Sequence, residues 1–215
     1  MKEWAKKEVA IAHGYLQDFE ANVSILHSGI AECVHGLTKS ITKPRIADLG
    51  CGNGRWFYAL KKLSDRFYCD GYDINESCLD FANSYFDSAT TRFFYSDLDN
   101  LEEMKQVKGY DCVLMDSTIN MVEKPKELLD LLIEQNDIVF LARVRLGNTT
   151  EKQEYQWGGM MNSSPNWLFD KHFYINLAKK HETSFEYRTI AENSCLIFKK
   201  ERRESAVVTE EKYNG

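Results

Sequence analysis

The residues 48–54, Asp48-Leu49-Gly50-Cys51-Gly52-Asn53-Gly54, follow a short apolar run and open a helical pattern. Glycines at alternate positions allow left-handed backbone and a close approach of backbone to ligand, so this loop can seat a bulky adenosine-bearing molecule over the carboxyl end of a strand. A second carboxylate, Asp73, closes the next apolar run 25 residues past Asp48. A ribose diol would lie there, and one carboxylate accepts from both of its hydroxyls. The third run ends Tyr95-Ser96-Asp97-Leu98, an acid for an adenine amino group and an apolar side chain against the ring. Asp73 or Asp97 taken alone reads as a solvated strand-end acid. Three acids, each ending a successive strand beside one glycine loop, form a pattern.

The elements that must position them follow from periodicity. Apolar runs at 45–49, 67–72, 92–95, 110–115 and 137–144 alternate with helical patterns at 55–63, 75–86, about 101–107 and 125–135. Strands separated by crossover helices pair in parallel, and a run as uniformly apolar as DIVFLARV at 137–144 suits a sheet covered on both faces. The segment FEYRTIAENSCLIFKK at 185–200 reads as a terminal antiparallel strand pair. The predicted fold class is therefore α/β, a doubly wound, mostly parallel seven-stranded sheet with that antiparallel pair and N-terminal helices. Leu16, Phe19, Val23, Leu26, Ile30, Val34 and Leu37 recur at spacings of three and four, predicting an amphipathic helix over 16–39 with a shorter one before Gly14. Residues 165–181 predict a helix with Pro165 at its first position, capped by Ser163 or Ser164. Residues 145–164 show no regular pattern; their aromatics suggest a lid, with Gly158-Gly159 as its hinge. The chain divides into an N-terminal helical region at 1–43, serving the acceptor side or a lid, an α/β domain at 44–200, and a flexible charged tail at 201–215.

The order Asp48-x-Gly50-x-Gly52-x-Gly54, then Asp73, then Asp97-Leu98 resembles the class I S-adenosylmethionine-dependent methyltransferases, a Rossmann-like family, over residues 44–199. The resemblance implies S-adenosyl-L-methionine as cofactor and S-adenosyl-L-homocysteine as product. It implies that Asp48, Gly50, Cys51, Gly52, Asn53 and Gly54 hold the methionine and ribose part, Asp73 the ribose with Ile74 beside the base, and Asp97 with Leu98 the adenine. After the fourth strand, amino-methylating relatives that act on nucleic-acid bases or amides carry Asn or Asp followed by Pro-Pro and an aromatic. This chain has Asp116-Ser117-Thr118-Ile119 instead. Asp116 reads as a contact to the cofactor's amine, as a base, or as a cap on the following turn.

On the acceptor side, Arg143 and Arg145 would project from one face if the fifth strand extends that far, and one of them would hold an anionic group, the other reading being a surface arginine pair. Tyr155 and Trp157 would wall the pocket from the lid, and Tyr15 from the N-terminal region. His13 and His172 are the candidate bases, although each taken alone reads first as structural or exposed. No metal is predicted, since arginines stand where a metal-assisted site would need carboxylates.

Lys plus Arg number 27 against 33 Asp plus Glu, a net charge of −6 that argues against a nucleic-acid partner. No run approaches the roughly 18 apolar residues needed to cross a membrane, and the N-terminal residues do not read as a secretory signal. The six cysteines form no CxxC pair and read as buried thiols. The expected protein is a cytoplasmic transferase for small-molecule methylation. Its acceptor would be a small molecule or glycan precursor, with an anionic substrate allowed by the arginine pair and oxygen favoured over nitrogen. Alternatives are an aminopropyltransferase-like enzyme and a non-catalytic S-adenosylmethionine-binding partner subunit. Oligomeric state is not legible.

Overall fold

The computed structural model describes residues 23–87, 89–157 and 160–201. In chain order these form α1 (Ile25–Leu37), β1 (Arg45–Leu49), α2 (Arg55–Leu63), β2 (Tyr68–Asp73), α3 (Glu76–Tyr85), β3 (Thr91–Tyr95), α4 (Leu101–Met104), β4 (Cys112–Asp116), a 3-10 turn (Thr118–Met121), α5 (Pro125–Gln135) and β5 (Ile138–Ala142). They continue with β6 (Leu146–Gly147), β7 (Glu151–Trp157), β8 (Met160–Asp170), α6 (Lys171–Lys180), β9 (Ser184–Ile190) and β10 (Asn193–Lys199). The main sheet has seven strands in the order β3-β2-β1-β4-β5-β10-β9. Strand β10 runs opposite to the other strands of this sheet, pairing antiparallel with both β5 and β9. This is the predicted doubly wound sheet. The order reverses between β1 and β4, the place where such sheets open a crevice at their carboxyl ends.

Alternation along the central strands makes two cores. Ile46, Cys112, Leu114, Phe140 and Ala142 face one side, with α1, α2 and α3 over them. Ala47, Leu49, Val113, Met115, Val139 and Leu141 face the other, under α5 and α6. Helix α1 belongs to the first layer. Its Ile30, Ala31 and Val34 are fully buried, and burying an Ile or Val side chain contributes about 1.5–3 kcal/mol. The expected helix over 16–39 starts later within the described residues: Ser24 is extended and caps α1. Arg66 closes the other end by donating to the carbonyls of His35, Lys39 and Ile41. Ala191 and Glu192 both take positive φ between β9 and β10, the tight turn that matches the twist of a hairpin.

Residues 145–170 correct the sequence reading. In place of a loop and the start of a helix stand β6, β7 and β8, a separate three-stranded sheet in the order β6-β8-β7. The ladder shifts between Gln153 and Tyr155, so that Gln153 faces Asn166 and Tyr155 faces Asn162. Pro165 falls in that irregularity, where its missing N–H interrupts no regular ladder bond. The helix starts at Lys171, capped by Asp170, whose carboxylate accepts from the His172 backbone N–H at 3.1 Å. Gly158, Gly159, residues 1–22 and the tail at 202–215 lie outside the described residues.

Candidate active site

Residues at the carboxyl ends of β1, β2, β4 and β5 converge around the glycine loop. Asp48 sits one residue from the end of β1, only 3% exposed, and its Oδ1 is buried without a hydrogen-bond partner among the described residues. Burial holds its carboxyl well above the usual carboxylate range, and neighbouring Asp116 and Asp73 push it the same way. The loop then turns through Gly50 and Gly52, both at positive φ. At Gly50 a Cβ would come within 2.2 Å of the Thr118 Oγ1, so a side chain there would drive the turn into the segment after β4. At Gly52 a Cβ would meet nothing within 4 Å: the loop is open above that residue. Gly54, at φ 81°, leads into α2. Cys51 and Asn53 are buried between these turns, and burial drives the Cys51 thiol upward, aided by the charges of Asp73 and Asp48.

Asp73 ties this loop to β2. One of its oxygens accepts from the Gly52 N–H at 2.7 Å and the other from the Asn75 N–H at 2.8 Å. Burial raises its pKa from the ordinary value while those backbone donors oppose the shift. Ile74 and Leu98 are buried in the turns after β2 and β3. Asp97 receives the Asp99 N–H at 3.1 Å, and its own N–H points to Glu103 at 3.4 Å. The structure thus brings together Asp48, Asp73 and the glycine loop, with Asp97, Ile74 and Leu98 at the adjoining strand ends.

The arginines depart from expectation. Strand β5 stops at Ala142, and Arg143 turns to φ 51°, so Arg143 and Arg145 do not share a strand face. Arg143 instead forks onto Asp116, Nε to Oδ1 at 2.6 Å and Nη2 to Oδ2 at 2.8 Å. Asn120 fixes this stretch from the 3-10 turn by donating to the Arg143 carbonyl at 3.0 Å and accepting from the Arg145 N–H at 3.3 Å. With both oxygens engaged by one guanidinium, Asp116 is placed to anchor Arg143. The Nη1 of Arg143 makes no hydrogen bond among the described residues, and its side chain is 42% exposed. The small sheet docks beside this stretch, where the Trp167 indole donates to the Val122 carbonyl at 2.9 Å.

Of the remaining candidates, His172 has its ring 78% exposed and paired with Asp170 in its own helix cap. Tyr155 and Trp157 lie on β7, but their side chains fall outside the described residues, as do His13 and Tyr15 altogether. Sequence reasoning missed His27. It occupies the third position of α1, where its Nδ1 accepts the Ser24 backbone N–H at 3.1 Å, closing a capping box. Burial pushes its imidazole below the ordinary range, Asp116 opposes that, and Arg143 and Arg55 reinforce it. The signal in the sequence was Ser24-x-x-His27, a capping box with His where Glu or Gln is usual.

Residues 46–134 match the family model described as a methyltransferase domain. No curated protein matches the chain. Among solved structures, the N-terminal domain of EvdMO1, crystallised in the presence of S-adenosylhomocysteine and D-fucose, aligns at a TM-score of 0.63 and 15% identity, covering 81% of this chain and 83% of that one. A putative methyltransferase in complex with the Trm112 activator of Haloferax volcanii aligns at 0.65 and 13% identity, covering 93% and 98%. An S-adenosylmethionine-dependent methyltransferase from Clostridium acetobutylicum aligns at 0.60 and 13% identity, covering 88% and 97%. At these identities the structural likenesses establish the fold. No helix among the described residues is long and apolar enough to cross a membrane.

Proposed function

We propose that this chain, a class I S-adenosylmethionine-dependent methyltransferase, methylates an oxygen atom of a small-molecule or glycan-precursor acceptor that carries an anionic group. The observation that carries this reading is Asp48. A buried carboxylate oxygen without a partner calls for a cation or a donor, and the aminoacyl ammonium of S-adenosylmethionine is both. Asp73 fits the ribose, because its oxygens accept from the backbone N–H groups of Gly52 and Asn75, with Ile74 acting on it as well, and a carboxylate with about four acceptor sites keeps one for a hydroxyl. The open space over Gly52 leaves the bed clear, while Ile74 and Leu98 supply apolar surface for the base and Asp97 an acceptor for its amino group.

When bound, S-adenosylmethionine supplies an electrophilic methyl group on a sulfonium, which leaves as a neutral thioether. The chain's own residues then have to align the acceptor in line with that methyl, the main requirement of such a displacement. Arg143 is suited to this: Asp116 and Asn120 fix it from two sides, and Nη1 projects as a donor for an acceptor anion. A hydroxyl acceptor releases its proton to solvent. The net charge of −6 and the absence of an Asn/Asp-Pro-Pro motif after β4 support a small acceptor over a nucleic acid. The D-fucose present with the EvdMO1 domain supports the sugar-like end of the range.

Calorimetry with S-adenosylmethionine and S-adenosylhomocysteine tests the cofactor half. Release of S-adenosylhomocysteine across a panel of phenols, sugars, sugar acids and amines tests the acceptor half. Cofactor binding with turnover on an oxygen acceptor is expected; turnover on amines alone would overturn the oxygen assignment.

A further inference from the structure

Strands β4 and β5 leave the sheet side by side, and each does so through a left-handed residue that is not glycine. Asp116 and Ala142 are register partners, and the residues that follow them, Ser117 and Arg143, take φ 62° and 51°. The Ser117 N–H still donates to the Ala142 carbonyl at 3.0 Å, so the two turns are joined where they begin. Glycine takes this conformation freely and a residue with a Cβ resists it, so such a turn persists where its surroundings hold it. At Arg143 the holder is Asn120. Its side chain comes from the 3-10 turn and the residue is only 4% exposed. Nδ2 donates to the Arg143 carbonyl at 3.0 Å while Oδ1 accepts the Arg145 N–H at 3.3 Å. A carbonyl only accepts and a backbone N–H only donates, so the clamp needs one donor and one acceptor on the same head. An amide supplies both, and a carboxylate at neutral pH does not. The 3-10 turn also begins against the glycine loop, where a Cβ on Gly50 would meet the Thr118 Oγ1 at 2.2 Å. The clamp thus ties Arg143 to the segment that lies on that loop.

We infer that Asn120 is a positioning residue for acceptor binding: its amide fixes the Arg143 backbone before any acceptor arrives, so that the fork onto Asp116 closes and Nη1 is already presented to an anion. The inference rests on the proposed reading of Arg143 as the residue that meets the acceptor's anionic group. On this account Asn120 acts through Arg143 alone and touches neither cofactor nor acceptor. A donor fixed in advance spares the bound anion the cost of ordering it, which is the gain of preorganisation.

Two measurements on the full chain test it, and the first needs no ligand. In protein labelled with 15N-arginine, the Nε–H signal lost in Arg143→Lys should exchange slowly with water, because Asp116 accepts that hydrogen. Asn120→Ala should speed the exchange about tenfold or more, the size expected for losing the clamp bonds. Asn120→Asp keeps the shape and loses the donor. It should behave like Asn120→Ala at pH 8 and return toward the wild-type rate at pH 5, once its carboxyl carries a proton for the Arg143 carbonyl, each compared with wild type at the same pH. If Asn120→Ala did not fold, this recovery would carry the comparison; wild-type exchange in Asn120→Asp at pH 8 overturns the inference. In the second measurement D-glucuronate and 4-hydroxybenzoate are titrated into the S-adenosylhomocysteine complexes of wild type, Asn120→Ala, Arg143→Ala and the double variant. At least one probe should bind about tenfold more weakly to each single variant, and the double variant should be no weaker than Arg143→Ala. Losses that multiply, or wild-type affinity in Asn120→Ala, overturn the positioning role while leaving the proposed reading intact. A wild type that binds S-adenosylhomocysteine and neither probe removes the anionic acceptor from that reading, and the inference with it.

Discussion

Replacing Asp48 by Asn should move stability and cofactor affinity in opposite directions. In the cofactor-free protein Asp48 is buried, its Oδ1 has no hydrogen-bond partner among the described residues, and its pKa is raised by burial first and by Asp116 and Asp73 next. A carboxyl whose folded value lies above its unfolded value of about 3.9 binds its proton more tightly when folded. The folded state therefore loses stability as pH rises from the unfolded value toward the folded one. The slope reaches about 1.4 kcal/mol per pH unit for one group, or roughly 3–5 °C in Tm for a chain of this size. Asp73 is raised as well, so the wild-type slope contains both groups and the difference between wild type and Asp48→Asn isolates Asp48. Thermal melts of cofactor-free protein from pH 4.5 to 8 should show the variant losing less stability with pH. Calorimetry at pH 8 should show the reverse for S-adenosylmethionine: loss of a charge-assisted hydrogen bond worth about 1.5–3 kcal/mol weakens binding about 10- to 150-fold. Parallel pH slopes together with unchanged affinity would refute the assignment of the orphaned oxygen to the cofactor's ammonium.

Asp73→Ala should weaken S-adenosylhomocysteine by about tenfold or more, since it removes the ribose acceptor and the partner of the Gly52 N–H; equal calorimetric affinity would sink the ribose assignment. Gly50→Ala combines a positive φ with a Cβ placed 2.2 Å from the Thr118 Oγ1, so a loss of roughly 2–4 kcal/mol is expected in urea unfolding. Adding Thr118→Ala should recover only the steric part. Asp130, held at about 2 by Lys126, Lys180 and His181 against the burial that opposes them, joins α5 to α6. A depressed folded value makes that stability present above pH 4 and lost as pH falls toward 2. Because the lysines are largely exposed, Asp130→Asn should cost on the order of 1 kcal/mol at pH 7 and nothing at pH 2; a uniform cost across that range would refute the charge account.

The parts of the fold that were legible are those where one local rule decides. Strands β1, β4 and β5 are apolar on both faces because both faces are covered, and the acids at 48, 73 and 116 follow from the ends of such runs. The β7–β8 hairpin was not legible. Met160–Asp170 carries a proline in mid-run and no clean alternation, and the register shift that admits Pro165 is a property of the pair, visible only once Glu151–Trp157 lies beside it. The arginines failed for a related reason. Their spacing of two is informative only inside a strand, and β5 ends one residue before Arg143, where the pull of Asp116 and the Asn120 clamp turn the backbone to positive φ. His27 escaped because its cap uses a residue outside the usual box.

The charges at the strand ends divide along the Asp116–Arg143 fork. Asp48 and Asp73 lie on the glycine-loop side, where burial raises both and Asp116 and Asp73 add to the rise at Asp48; at His27 burial lowers the imidazole first, with Arg143 and Arg55 acting the same way against Asp116. On the proposed reading this division suits the chemistry. The donor arrives with cationic groups that the acid side lacks partners for, and it leaves with one positive charge fewer, so the same acids that favour its binding hold the product less firmly. An anionic acceptor, on the same reading, would meet the Nη1 of Arg143, the nitrogen that the Asp116 fork leaves without a hydrogen bond among the described residues. With both oxygens held by two short bonds to one guanidinium, Asp116 is a poor base and a good positioning group for Arg143.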